Sequence, residues 1–206
     1  MSYICADINN DCKQEPQSMS QEVFDSFYQE LQEAFRSGEI STHYNDSRIH
    51  NAAIMRFMLD NSNTINMYCG EMSVFRSGFY RHINEESGQG NNIQTVMAES
   101  LKKFLAKDNS ECSVILENEN PEVLKDTICQ DEINEALKKE KLKIYYLPSD
   151  FTFKSAINHF TLCDKNLYRF EDDKTSHSAI CRMFDTANNT QLKNNYNTLL
   201  TIARKM

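Results

Sequence analysis

The sequence predicts an α/β fold: a mixed, mainly parallel sheet with helices on both faces, preceded by an N-terminal helical extension. Three observations carry this expectation. Apolar residues recur at helical spacing in "FDSFYQELQEAF". Short apolar runs, "INMYC", "CSVILE" and "LKIYYL", each follow a helix-like stretch, and "HFTLCDKNLYRFEDD" has the form of a β-hairpin. Helices alternating with strands favour a parallel sheet covered on both sides.

Each element has a local reason. Residues 1–19 are polar, include Pro16 and read as a loose lead-in. From Ser20, taken as an N-cap and followed by Glu22, the apolar set Phe24, Phe27, Tyr28, Leu31, Ala34 and Phe35 forms one helical face that stops at Gly38. The expected organisation is thus a lead-in and amphipathic helix over 1–44 and an α/β domain over 45–206. A helix from about Ser47 to Asp60 carries Ile49, Ala53, Met55, Phe57 and Met58, too broadly apolar for a surface position. Ile65 to Cys69 reads as a buried strand that Gly70 interrupts.

Periodic residues from Ile93 to Lys107 predict a helix leading into a strand at Ser113–Leu116. The scheme repeats with Asp131 as the cap of a helix carrying Ile133, Ala136 and Leu137, then a strand at Lys143–Leu147. After Pro148 the order changes to hairpin strands at His159–Cys163 and Leu167–Glu171, with helices over Ser178–Phe184 and Gln191–Arg204.

Composition narrows the function. A chain of 206 residues with a formal charge of -8 repels phosphate polymers, so nucleic acid and anionic membranes are disfavoured partners. Seven scattered cysteines without a C-x-x-C pair suggest neither a disulfide framework nor a zinc ribbon, and a reducing, cytoplasmic setting is expected. No run approaches the roughly 20 apolar residues of a membrane span. With five glycines and only "SGQGNN" as a glycine pair, read as a surface loop, no phosphate loop and no cofactor are expected.

The hairpin holds the first candidate site. With Asp164–Lys165–Asn166 as a three-residue loop, His159 faces Glu171 and Thr161 faces Arg169 on one side of the sheet, while Phe160, Leu162, Tyr168 and Phe170 point to the other. A two-residue loop of Lys165–Asn166 would instead separate His159 from Glu171; the absence of glycine argues for the longer loop, where Asn166 takes the left-handed position. His159 and Glu171 are then the candidate acid/base or nucleophilic pair, with Arg169 as an anion fork. The competing interpretation of that face is a solvated one with a weak ion pair. "YCGEMSVFR" is the second candidate: Glu71, Ser73 and Arg76 follow a strand's carboxyl end, where open α/β sheets bind ligands. Asp164 completes the candidate set. His43 and His177 are lone histidines near expected helix starts. Metal ligation by His159 with Cys163 lacks a second ligand pair, so no metal is expected.

Three stretches together, "SRIHNAAIMRFMLDNSNTINMYCGEMSVFR", "CSVILENENPEVL" and "HFTLCDKNLYRFEDDKTSHSAICRMFD", resemble the phospholipase D superfamily in a divergent branch, over residues 45–204. Catalytic members carry a histidine that forms a phosphoryl intermediate, a lysine two residues on, and an aspartate five beyond it. Aligning on Asp164 puts Ile157 at the histidine position and His159 at the lysine position. Aligning on His159 puts Thr161 at the lysine and Asn166 at the aspartate. Neither register restores the triad, and loss of the cation should remove most phosphoryl transfer.

The resemblance therefore implies a fold with a degenerate catalytic signature, like bacterial members lacking the motif. The leading expectation is a non-catalytic binding or regulatory module that self-associates, because catalytic members join two motif copies across a two-fold interface. Its partners would be a phosphate-containing ligand or a protein. Two alternatives stand beside it: a phosphodiesterase or nuclease with a rearranged His/Glu/Arg site, and a protein-interaction component of a bacterial operon.

Overall fold

The computed structural model describes the backbone of residues 17–87, 90–173 and 178–206. Helix α1 (Gln17–Ser37) is followed by strand β1 (Ser41–Asn45), α2 (Arg48–Asn61), β2 (Thr64–Cys69), α3 (Ser77–Ser87), α4 (Gly90–Ala106), β3 (Glu111–Leu116), α5 (Gln130–Lys138) and β4 (Leu142–Tyr146). The chain then forms β5 (Phe160–Cys163), β6 (Leu167–Asp173), β7 (Ser178–Met183), α6 (Thr186–Ile202) and a short β8 (Arg204–Lys205).

Among the described residues the eight strands make one mixed sheet in the order β1-β7-β6-β5-β2-β3-β4-β8. The expectation of a mainly parallel sheet is corrected: only β2–β3 and β3–β4 pair in parallel, and the other neighbours are antiparallel. The helix–strand alternation governs the middle of the chain alone. Beyond Pro148 the chain returns against β2 and extends the sheet by consecutive antiparallel strands.

Alternation along the strands divides two cores. Ile65 and Met67 of β2, Val114 of β3 and Ile144 of β4 join a cluster with Phe24, Leu31, Phe57, Met58, Tyr80 and Phe104. Tyr68, Ile115, Phe160, Leu162 and Tyr168 join a second cluster with Leu192, Tyr196 and Leu199 of α6. The stripe on α1 is thus core, with Phe24 and Leu31 fully buried and Phe27 and Phe35 packed against the same cluster.

Several boundaries differ from expectation for identifiable reasons. Helix α1 begins before Ser20, which therefore sits inside it rather than at its cap. Helix α5 begins at Gln130 after Cys129, so Asp131 lies in the first turn, where its charge meets the positive end of the helix dipole. Ser47 does cap α2, accepting a hydrogen bond from the His50 amide at 3.1 Å. The expected helix over Ser178–Phe184 is strand β7: Ala179, Cys181 and Met183 alternate inward while β6 and β1 pair on its two sides. Strand β1 and helix α3 were not anticipated. The expected "SGQGNN" surface loop is corrected where it is described: Ser87 ends α3 and Gly90 to Asn92 open α4, while residues 88 and 89, like His177, lie outside the described residues.

Asp185 joins β7 to α6 and is the hub of this corner. Its carboxylate accepts from the Asn188 amide at 3.2 Å, Asn188 Nδ2 at 2.7 Å, Tyr168 Oη at 3.0 Å and Arg182 Nη1 at 2.8 Å. The Asn188 side chain, first among these, holds the carboxyl below its ordinary pKa. Asp185→Ala is expected to cost about 1–2 kcal/mol at neutral pH. Because the folded pKa is depressed, this contribution is present above the unfolded carboxylate pKa and lost as pH falls through the folded one. Urea titrations should therefore show the gap between wild type and variant narrowing on acidification.

Candidate functional site

The carboxyl ends of β2 and β3, the approach to β5 and the end of β6 meet at one edge of the sheet. Since β5 runs antiparallel to β2, with Phe160 opposite Tyr68, His159 arrives beside Gly70 just past the end of β2. A Cβ at position 70 would meet the ring's Cε1 at 3.6 Å, an ordinary van der Waals contact, which places the backbone of position 70 directly against the imidazole.

The hairpin takes the three-residue register. Cys163 faces Leu167, Thr161 faces Arg169, and the Glu171 amide donates to the His159 carbonyl at 2.9 Å. Asn166 is left-handed as anticipated (φ 54°), but Lys165 is left-handed too (φ 63°). Phe160, Leu162 and Tyr168 enter the second core, with Phe170 packed against it. The opposite face is not solvated: Thr161, Arg169 and Glu171 are 3%, 7% and 5% exposed. The cross-strand group is therefore a buried one, and its charges interact in a poorly hydrated setting.

His159 lies between two carboxylates. Nδ1 is 2.6 Å from Glu171 Oε2, and because an ionised carboxylate only accepts, the ring donates from that nitrogen. On the other side Nε2 lies 3.1 Å from Glu117 Oε1, off the angle of a hydrogen bond and with essentially no exposed surface. Arg169 Nη2 lies 3.7 Å from Glu171 Oε1, whereas its Nε has no hydrogen-bond partner. Burial lowers the Arg169 pKa and Glu171 opposes that shift. A guanidinium remains charged regardless.

His159, Arg169 and Glu171 line a cavity of about 750 Å³, within the size range of small-molecule sites, and Glu117 lies behind it, outside that lining. His159, Glu171, Arg169, Arg76, Ser73 and Glu71 all line it, so the two stretches singled out in the sequence form one site. Asp164 does not join them. It sits at the far end of the hairpin, where Oδ1 accepts from the Asn63 amide at 3.0 Å and ties the turn to the start of β2. His43 also lies elsewhere, buried on β1 with Nδ1 2.7 Å from Glu30.

Sequence reasoning missed Glu117, Arg48 and Arg81. Glu117 follows β3 at the same sheet edge as Glu71, so the strand-end argument applied to "YCGEMS" would have found it in "CSVILE". Arg48 and Arg81 come from the first turn of α2 and from α3, and only the tertiary fold brings them to the cavity. Its four arginines are matched by four carboxylates: Arg76 is 3.7 Å from Glu71 and Arg81 is 3.3 Å from Asp126. Cys69 also lines the cavity, its thiol pushed up to about 12 chiefly by burial, which makes it a poor nucleophile at neutral pH. Among the described residues no group of three or more His, Cys, Asp and Glu side chains is disposed to hold a metal ion. No described helix is long and apolar enough to cross a membrane.

No protein-family model matches the chain, and a comparison with curated proteins finds no match. Solved structures do resemble it. NucT from Helicobacter pylori is similar over 82% of this chain and all of its own, with a TM-score of 0.53 and 11% identity. Nuc from Salmonella typhimurium, a phospholipase D family member, is similar over 82% of this chain and 97% of its own, with a TM-score of 0.48 and 9% identity. The chain shares its fold with NucT. TrmBL2, an archaeal chromatin protein with a novel mode of DNA binding, has a TM-score of 0.54 at 14% identity; the match covers 91% of this chain but only 65% of TrmBL2. At these identities the likeness is one of fold alone.

Proposed function

We propose that the chain is a non-catalytic binding or regulatory module on a phospholipase D-like fold, taking a small ligand whose phosphate or carboxylate group is held by Arg169. The observation that carries this reading is the confinement of His159: each ring nitrogen faces a carboxylate, and Nε2 has essentially no exposed surface. A phosphohistidine nucleophile needs a free nitrogen and a cation on the phosphoryl oxygens. In the register that aligns His159 with the catalytic histidine, Thr161 stands at the lysine position. The charge opposite Thr161 belongs instead to Arg169 on the neighbouring strand, a residue that lines the cavity while its Nε is buried without a hydrogen-bond partner. The equal number of arginines and carboxylates around the cavity suits one anionic group on a polar body better than a phosphate polymer.

Isothermal titration with inorganic phosphate and with acetate tests the reading. Arg169-dependent binding of at least one is expected, lost in Arg169→Met and weakened at least tenfold in Arg169→Lys, which keeps the charge but not the fork. Duplex DNA belongs in the same titration because a DNA-binding protein shares the fold; the chain's charge of -8 predicts no binding at physiological salt. Self-association is part of the reading, so sedimentation velocity should give a dimer, and a monomer would remove that element.

The second reading is a phosphodiesterase with a rearranged site. Its support is the 2.6 Å hydrogen bond from His159 to Glu171, the partnership an acid/base or nucleophilic histidine uses. It requires Glu117 to leave Nε2 before any phosphorus atom can approach.

A further inference from the structure

The cavity has a charged side and an apolar one. On its floor, Met67 of β2 lies opposite Thr161 of β5, which in turn lies opposite Arg169 of β6, and residues paired in this way share a face of the sheet. All three line the cavity, so Met67 and Arg169 flank the short Thr161 side chain from strands about 10 Å apart. Helix α2 presents Arg48, Asn51 and Met55 to the cavity, one stripe that changes from charged to apolar along the helix. The same helix packs against the turn Ser73–Phe75 and against α3, which bring Val74 and Phe79 to the cavity, and Met72 immediately precedes that turn. Met55, Met67, Met72, Val74 and Phe79 all belong to the main core, so on this side the cavity wall is continuous with that core.

We propose that this apolar wall receives the body of the ligand: the site takes amphipathic organic anions, in which a carboxylate or phosphate bound at Arg169 carries a short, flexible aliphatic chain. This inference rests on the binding reading above and names its ligand class. Acetate or inorganic phosphate held at Arg169 is too small to reach the wall, whereas a chain of about four to six carbons spans the two strand spacings between Arg169 and Met67. Covering the wall with methylene groups removes apolar surface from water on both partners, which is the favourable term. Three of the five wall residues are methionines, whose unbranched and polarizable side chains adjust to aliphatic groups of different length and shape. A few polar groups that fix one end of a ligand, set beside an apolar wall, are the usual composition of a small-molecule site.

Isothermal titration of two homologous series tests this: acetate, butyrate and hexanoate, and methyl, butyl and hexyl phosphate. A fully buried methylene is worth about fourfold in affinity, so partial burial of those added between the shortest and longest members predicts a gain of about tenfold or more in at least one series. Met55→Gln keeps a long side chain of good helix propensity but sets an amide in the wall, and it should weaken the longest members about threefold more than the shortest. Arg169→Met should abolish the gain together with binding of the short anions. Thermal unfolding confirms that both variants are folded, and the wild-type series decides the matter without them. Arg169-dependent binding that does not strengthen with chain length overturns this inference alone, as does a gain that persists in Arg169→Met or is unchanged in folded Met55→Gln. Absence of Arg169-dependent binding for every member of both series overturns the binding reading and takes this inference with it.

Discussion

Glu171→Ala is expected to lower stability by about 3 kcal/mol, the low end of the cost of breaking a buried ion pair by removing one partner. The carboxylate is the hydrogen-bond acceptor for His159 Nδ1 at 2.6 Å and the charge partner of Arg169 at 3.7 Å, with its own side chain 6% exposed. Alanine would leave the guanidinium buried without that counter-charge and the imidazole N–H without its acceptor. The adjoining cavity can admit water, which keeps the cost from the upper end of the range. Glu171→Gln should cost roughly half as much, since its amide oxygen still accepts from Nδ1. Urea unfolding followed by circular dichroism checks both; equal stability of Glu171→Ala and wild type would mean that the group is hydrated rather than buried.

Phe57→Ala is expected to cost about 3–5 kcal/mol, the usual range for deleting a fully buried aromatic side chain. Phe57 projects from α2 into the main core, with the Phe35 ring of α1 at 5.5 Å and the Tyr28 ring at 6.5 Å, both edge-on. The loss should fall on α1 as well as α2, because the same ring anchors both. Hydrogen exchange is expected to show amides of α1 losing protection together with those of α2. Retained protection of α1 in a destabilised variant would mean that the N-terminal helix is held by other contacts.

What could be read from the sequence followed the strength of local patterning. The four buried strands β2, β3, β4 and β5 are runs whose period and length leave few alternatives, and the hairpin register followed from the glycine-free loop at Asp164–Asn166. Strand β7 was misread because "SAICRMF" mixes small and charged residues that suit either state; its strand form comes from pairing with β6 and β1, which no local pattern records. Strand β1, "STHYN", is a short polar edge that carries almost no apolar signal. At the site, alternation alone placed His159, Thr161, Arg169 and Glu171 on one face. Their burial was not legible, since it depends on residues 46–51 and 70–76 lining the same cavity. Glu117 carried the same strand-end signal as Glu71, but its contact with His159 was not legible, because it spans β3, β2 and β5, three strands adjacent only in the folded sheet.

The most direct measurement of binding against turnover is intact-protein and peptide mass spectrometry after incubation with a phosphodiester such as bis(4-nitrophenyl) phosphate, with nitrophenolate release followed in parallel. With Nε2 facing Glu117 and no lysine two residues beyond His159, the predicted result is an unmodified His159 and no release above the buffer rate, under conditions where phosphate or acetate binding through Arg169 is retained. A phosphoryl adduct on His159 that disappears in His159→Asn, accompanied by release, would contradict the account and establish the phosphodiesterase reading in its place.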